Sequence, residues 1–243
     1  MRLPRNWVPR PLAAGDELQL PAGVARHVQQ VLRMKPGQEL ILFNGADGRD
    51  YRATLIQVEK KSVTTRITSS SEVEPPPRLS IGLALGISRG ERMDLALQKS
   101  VELGVAQIFP LFTERTQVKL SLQRQQKRLQ HWRGIVVNAC EQCGRRWLPI
   151  LHPAQSYRQW LEHREKNTLF LDPGAKLSLP DIDNPEDSLC FLSGPEGGFS
   201  EEEKKAAIAA GCTLVRLGPR VLRTETAPLA AIAAAQTLWG DFL

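Results

Sequence analysis

Two glycine-proline turns carry the residue types on which chemistry could be built. Gly194-Pro195-Glu196-Gly197-Gly198 follows the apolar run of "SLCFLSG", and Leu217-Gly218-Pro219-Arg220 follows "CTLVRLG" and runs on through Val221, Leu222, Arg223, Thr224 and Glu225. A third turn, Leu171-Asp172-Pro173-Gly174, ends the apolar "TLFLD". Proline fixes φ and glycine admits positive φ, and neither fills the opening with a bulky side chain. Three such turns would present backbone N–H and C=O groups to a flat heterocycle; three ordinary strand-to-helix turns are the plainer alternative. A phosphate cradle is not indicated. There is no GxxxxGK[ST] loop, the Gly194 turn holds no lysine, and Glu201, Glu202 and Glu203 follow it directly. Dinucleotide GxGxxG and nucleophile GxSxG patterns are absent as well. Cys140 and Cys143 have a zinc-like spacing, but no second pair accompanies them and the 4 histidines are scattered, so no metal is expected. Two small residues near a helix end are the simpler reading.

Chemistry of this kind needs a sheet whose strand ends lie together. From residue 79 onward the chain alternates apolar strands and helices. "LSIGLALGI" reads as a strand, followed by a helix over "ERMDLALQKSVELG" capped by Ser88 and stopped by Gly104. "VAQIFPLF" is a strand in which Pro110 predicts an edge or irregularity. A long helix starts at Ser121 and runs towards Cys140, and "SYRQWLEHR" is a further helix. Ser200 and Glu203 form the Ser-x-x-Glu pattern that opens "EEEKKAAIAA", and an alanine-rich helix follows "RTETAP". Near-continuous apolar strands between helices imply a buried, mainly parallel sheet. Ligands of such sheets sit beyond the carboxyl ends of the strands, where the three turns fall.

The three consecutive prolines of "SEVEPPPR" mark a linker. Before it lies a small, mostly β module: "QELILFNG" and "DYRATLIQVEKKSVTTRITS" are strands, "NGADGRD" is a turn, and "GVARHVQQVLR" is a helix whose Val24, Val28, Val31 and Leu32 share a face. The expected domains are therefore 1–73 and 74–243.

Length and charge narrow the partners. With 243 residues, 42% apolar and 24% charged, the chain has the composition of a soluble globular protein. The formal net charge of +6 points towards a polyanion. Residues 114–147 hold 8 Lys+Arg against 2 Asp+Glu, interleaved with Trp132 and Trp147, whereas 181–203 holds 8 acidic residues and no basic one. Either 114–147 is a solvated helix face or it is a polyphosphate track continued by Arg2, Arg5 and Arg10. "MRLPRNWVPRPL" lacks the apolar core of a signal peptide, and "APLAAIAAAQTLW" is too short to span a bilayer. The 4 cysteines suit a reducing compartment, so a cytoplasmic location is expected.

At "GPEGGFS" and "LGPRVLRTETA" the chain resembles the SPOUT methyltransferases, and within them the ribosomal small subunit (16S) RNA uridine-N3 methyltransferase family. "MRLPRNW", "VLRMKPGQ" with Arg33, "SRGERMDLALQKSVELG" with Arg89 and "ACEQCGR" with Arg145 match that family too, so the resemblance covers nearly the whole chain. It implies an α/β trefoil-knot methyltransferase domain preceded by a PUA-like β-barrel that grips RNA. It also implies S-adenosyl-L-methionine as cofactor, a homodimer joined through the knots, and a target uridine near the decoding region of small-subunit rRNA.

Carried over by position, Leu171 and Asp172 belong to a first cofactor loop; this chain has aspartate where many relatives place histidine. Gly194, Glu196 and Gly197 belong to a second loop, and Leu217, Gly218, Leu222, Arg223 and Thr224 to a third. Arg2, Arg5, Arg10, Arg33, Arg89 and Arg145 are the expected RNA contacts. The sulfonium makes the methyl electrophilic, so the enzyme's task is at uracil N3: removing its proton and stabilising charge spread onto O2 and O4. Arg223 is expected to supply the positive field, and Glu141 or Glu225 to accept the proton. Bland roles stand beside these, Glu141 as a helix-end residue and Glu225 as first-turn charge. Two other readings share the scaffold: a non-catalytic RNA-binding or assembly factor, and a SPOUT enzyme acting on a different RNA.

Overall fold

The computed structural model describes residues 3–116 and 122–242; Arg2 and Ser121, singled out above, lie outside the described residues. The chain divides into two compact units, 1–76 with 140–148, and 77–139 with 149–243.

In the first unit, β1 (Arg5–Trp7), β2 (Glu17–Gln19), β3 (Glu39–Phe43), β4 (Tyr51–Val58) and β5 (Val63–Ser70) form one sheet in the order β1-β3-β4-β5-β2. Only β1 and β3 run parallel. Alternation is visible in β4, where Tyr51, Ala53 and Leu55 are buried and Arg52 and Ile56 are exposed. These residues close with Leu40, Leu42, Val63 and Ile67 on a single apolar core. Helix α1 (Ala22–Arg26) covers it and widens into a π turn over His27–Val31, closed by the Leu32 N–H on the His27 carbonyl at 3.0 Å. The wider turn corrects the expected four-residue face: Val28 is buried, but Val31 is turned out and 66% exposed.

The segment 140–148 is knitted into this unit by side chains. Arg5 donates to the carbonyls of Cys140 (2.6 Å) and Arg145 (3.1 Å), and the Trp7 N–H donates to Glu141 at 2.9 Å. Glu74 accepts from the N–H groups of Arg146 and Trp147.

The second unit is built on parallel strands: β6 (Ser80–Gly86), β7 (Val105–Phe112), β8 (Ile150–Leu151), β9 (Gln155–Ser156), β10 (Thr168–Leu171), β11 (Leu177–Ser178), β12 (Ser188–Ser193) and β13 (Thr213–Arg216). Their order is β11-β13-β10-β12-β6-β7-β8, with β9 also on β7. Burial along β6 and β12 is continuous rather than alternating, as expected of strands covered on both faces. Helices α2 (Glu91–Glu102), α3 (Leu122–Cys143), α4 (Tyr157–Glu162) and α5 (Glu201–Ala209) lie between them, and α6 (Thr226–Trp239) follows β13.

Pro110 finds its place through a gap. The outer neighbour of β7 is split, β8 pairing at Gln107 and Ile108 and β9 at Leu111 and Phe112. The residue without an N–H stands between the two pairings. The expected cap of α2 is corrected: the N-cap is Gly90, at φ 49, and Ser88 is buried with its hydroxyl turned elsewhere. Ser200 and Glu203 do form the capping box of α5.

Candidate functional site

Strands β13, β10 and β12 are neighbours and run parallel, so the loops that follow them leave one edge of the sheet together. Those loops enclose a cavity of about 690 Å³. Of the residues expected to hold a cofactor, Leu171, Asp172, Gly194, Glu196, Leu217, Leu222, Arg223 and Thr224 line it. Gly197 and Gly218 do not. Gly218 makes the turn out of β13 at φ 77, a conformation that favours glycine.

Polar contacts tie the loops to one another. The Thr224 hydroxyl donates to the Gly194 carbonyl at 2.7 Å and stands 3.1 Å from the Ser88 hydroxyl, which joins the third loop, the second loop and the β6–α2 connection. Gly86, at the end of β6, has no room for a side chain, since a Cβ would lie 2.5 Å from the Pro195 nitrogen. Phe199 packs on Phe170 and Tyr157, with ring centroids 4.7 and 5.4 Å apart. Asp172 accepts the Gly174 N–H at 2.6 Å and pairs with Lys204.

Glu196 accepts the Arg89 N–H at 2.9 Å and lies 3.3 Å from the Arg92 guanidinium. Burial pushes its carboxyl up, but these hydrogen bonds and the Arg92 charge outweigh that and hold it below the usual carboxylate range.

Charge on the cavity wall is balanced. Arg92, Lys204, Arg220 and Arg223 face Asp172, Glu196, Glu201 and Glu225. A polyphosphate would call for an excess of cations, whereas this wall suits a ligand carrying both signs. Glu225 precedes α6, and its Oε2 is buried without a hydrogen-bond partner. Among the described residues no group of His, Cys, Asp and Glu could hold a metal ion.

The other expected residues have different surroundings. Glu141, in the first unit, receives the Trp7 N–H; burial pushes its carboxyl up against that bond. Arg5 takes a structural role rather than the expected RNA contact. Its side chain is 5% exposed, pairs with Asp50 at 2.6 Å, and lies 4.3 Å from the centroid of the Phe43 ring. Arg10, Arg33 and Arg89 are exposed, and Arg145 is partly buried with its carbonyl on Arg5.

Arg92 and Lys204 were not among the expected site residues. Each lies in the first turn of a helix that follows a strand next to the cavity, and that position is the signal by which sequence reasoning could have found them.

Family models for an RNA methyltransferase domain and an RNA methyltransferase PUA domain match residues 74–236 and 20–68. The chain is 32% identical over 242 residues to the ribosomal RNA small subunit methyltransferase E of Buchnera aphidicola subsp. Schizaphis graminum, covering 99% of this chain and 98% of that one. Two solved structures are similar over 100% of both chains. One is the ribosomal RNA small subunit methyltransferase E of Neisseria gonorrhoeae bound to S-adenosyl methionine, at 42% identity and TM-score 0.92. The other is a Legionella pneumophila methyltransferase in complex with the bound cofactor SAM, at 40% identity and TM-score 0.95.

Proposed function

Because the chain belongs to the family of ribosomal RNA small subunit methyltransferases E, we propose that it transfers a methyl group from S-adenosylmethionine to N3 of a uridine in the decoding region of small-subunit rRNA. The observation that carries this reading is the cavity at the ends of β10, β12 and β13, closed by three loops of mixed charge. The residues fit the cofactor. Loop backbone and apolar side chains such as Leu171, Leu217 and Leu222 suit an adenosine, and the paired carboxylates and cations suit an amino acid joined to a sulfonium.

When bound, S-adenosylmethionine supplies a methyl group already made electrophilic by its sulfonium. The chain's own residues then act on the uracil. Neutral N3 holds a proton and delocalises its electrons onto O2 and O4, so the new N–C bond forms as that proton leaves. Arg223 places a positive charge at the cavity for the developing charge on the oxygens. Glu225 is our first choice as proton acceptor, because its unpartnered oxygen belongs to a residue of the cavity wall. Glu141, the other carboxylate expected to take the proton, lies in the first unit and is not among the cavity-wall residues. The target base leaves its stack to enter such a pocket.

We assign RNA binding to residues 1–73 as a PUA-like module and methyl transfer to 74–243 as a knotted SPOUT domain. Arg10, Arg33, Arg89, Arg145 and the exposed Arg124, Lys127 and Arg133 of α3 are the phosphate contacts we propose. The acidic residues Asp181, Asp183, Glu186 and Asp187, away from the cavity wall, lie outside the RNA surface we propose. We further propose a homodimer through the knotted domain and a cytoplasmic location, where the rRNA substrate is found. None of the described helices is long and apolar enough to cross a membrane.

The test is incubation with methyl-labelled cofactor and either small-subunit particles or naked rRNA, followed by mass-spectrometric mapping of the modified base. Label on N3 of one uridine is the expected result. RNA binding without cofactor binding or label would leave a non-catalytic assembly role instead.

A further inference from the structure

The glycines of the second loop do not share one purpose. Gly198 has φ 66 and needs glycine for its backbone. At Gly194 the missing side chain makes room for Phe199, which would stand 3.1 Å from a Cβ. Gly197 has neither a positive φ nor a place on the cavity wall. What lies against it is Arg115: its Cβ would be 3.1 Å from a Gly197 Cβ, and its Nη1 donates to the Gly197 carbonyl at 3.0 Å.

Arg115 comes from another segment, the start of the β7–α3 connection, and that segment is itself held. The Thr113 N–H donates to the Thr116 hydroxyl at 2.9 Å, and the Thr116 N–H returns to the Thr113 carbonyl at 3.1 Å. The Glu114 N–H donates to Glu203 Oε1 at 2.9 Å. Glu203 is 5% exposed, and its other oxygen accepts the Ser200 N–H at 2.9 Å. A single buried carboxylate thus holds both the end of the second loop and the residue before Arg115. With that base fixed, Arg115 fastens the middle of the loop, one residue from Glu196 on the cavity wall.

We propose that Arg115 is a positioning residue for cofactor binding, and that Gly197 is glycine to seat Arg115 rather than to touch the cofactor. The inference rests on the reading of the cavity as the S-adenosylmethionine site. A loop fixed in advance binds without the cost of being ordered at the moment of binding. Removing the clamp therefore weakens cofactor affinity, while turnover at saturating cofactor is kept.

The experiment is a double-mutant cycle on the full chain, with calorimetric Kd for S-adenosylmethionine on wild type, Arg115→Ala, Arg115→Lys, Gly197→Ala and the double variant. Because the Arg115 side chain is exposed, Arg115→Ala folds as wild type does. It is expected to raise Kd about five- to tenfold, the size of one charge-assisted hydrogen bond discounted for exposure. Arg115→Lys falls between the two, and kcat at saturating cofactor stays within about twofold of wild type. Gly197→Ala weakens binding similarly, and the double variant is no worse than the weaker single.

An unchanged Kd in Arg115→Ala overturns the proposal, as does full additivity in the double variant, which would give Gly197 its own cofactor contact. A lowered Tm and kcat with unchanged Kd makes Arg115 merely structural and overturns it too. Wild-type protein that binds no S-adenosylmethionine refutes the parent reading and this one together, whereas tight wild-type binding matched by Arg115→Ala refutes this one alone.

Discussion

Replacing Thr224 with valine isolates the hydroxyl that joins the second and third loops. Valine keeps the β-branch and the volume and removes only the donor and acceptor. The bond to the Gly194 carbonyl is 2.7 Å long, and that to Ser88 spans 3.1 Å. Ser88, 2% exposed, retains an alternative acceptor in the Gly86 carbonyl at 3.4 Å, so its loss is partial. The Gly194 carbonyl gives up a short, well-placed donor. A net hydrogen bond contributes ~1 kcal/mol and a stranded buried polar group costs ~1–3 kcal/mol, so a total of ~2 kcal/mol is reasonable. If all of it falls on the loop geometry that the cofactor needs, binding weakens about 30-fold at ~1.4 kcal/mol per decade. Calorimetric titration with S-adenosylmethionine measures this, with Thr224→Ser as the control that keeps the hydroxyl. Two results would refute the reasoning: a Thr224→Val variant within twofold of wild type in both affinity and thermal stability, or a Thr224→Ser variant as weak as Thr224→Val. The second outcome would move the effect from the hydroxyl to methyl packing.

Further expectations concern charge. Arg223→Ala is expected to lower kcat by about 100- to 1,000-fold with the melting temperature unchanged, as for loss of a preorganised electrostatic contact; near-normal single-turnover rates would remove Arg223 from the chemistry. Arg5→Ala and Arg10→Ala should part company. The first breaks a buried pair and should destabilise the protein by about 3 kcal/mol, measured by denaturant titration. The second should leave stability alone and reduce the salt slope of RNA binding by about 1. Glu196, whose folded carboxyl is held below its usual range, adds stability above the ordinary carboxylate pKa, and that stability is lost as pH falls through the lowered folded value. The melting-temperature gap between wild type and Glu196→Gln should accordingly be constant down to about pH 5 and close on further acidification; a gap that widens in acid would contradict the assignment.

Much of the second unit was legible because its elements announce themselves locally. β6, β10 and β12 are uninterrupted apolar runs, and Ser200 with Glu203 spells out a helix start. The three proline turns group from the sequence because parallel strands put their carboxyl ends on one edge. What escaped notice depends on partners far away in sequence. The two- and three-residue strands β1, β2, β8, β9 and β11 exist only because a neighbour offers an edge. Ser88 precedes a helix and reads as a cap, yet its hydroxyl is claimed by Thr224, 136 residues further on. Arg5 reads as an outward-facing cation until Asp50 and two carbonyls from 140–145 surround it. Gly197 looks like part of a ligand motif, and nothing local to it reveals that Arg115 occupies the space beside it.

The first unit is discontinuous in the chain, and this has a consequence for how the protein is made. When Pro76 leaves the ribosome, the five-stranded sheet can pair, but the acceptors of the Arg5 guanidinium at Cys140 and Arg145 do not yet exist, nor does the Glu141 carboxylate that takes the Trp7 N–H. Residues 77–148 must be synthesised first, which takes roughly 4–14 s at 5–20 residues per second. For that interval the Arg5 guanidinium keeps its Asp50 partner but lacks the two carbonyls, and the sheet stands without the contacts that 140–148 adds. A chain cut after residue 76 would remain in that condition permanently. The segment 140–148 therefore works as a late-arriving lock, and completion of the N-terminal module is timed by the synthesis of α3.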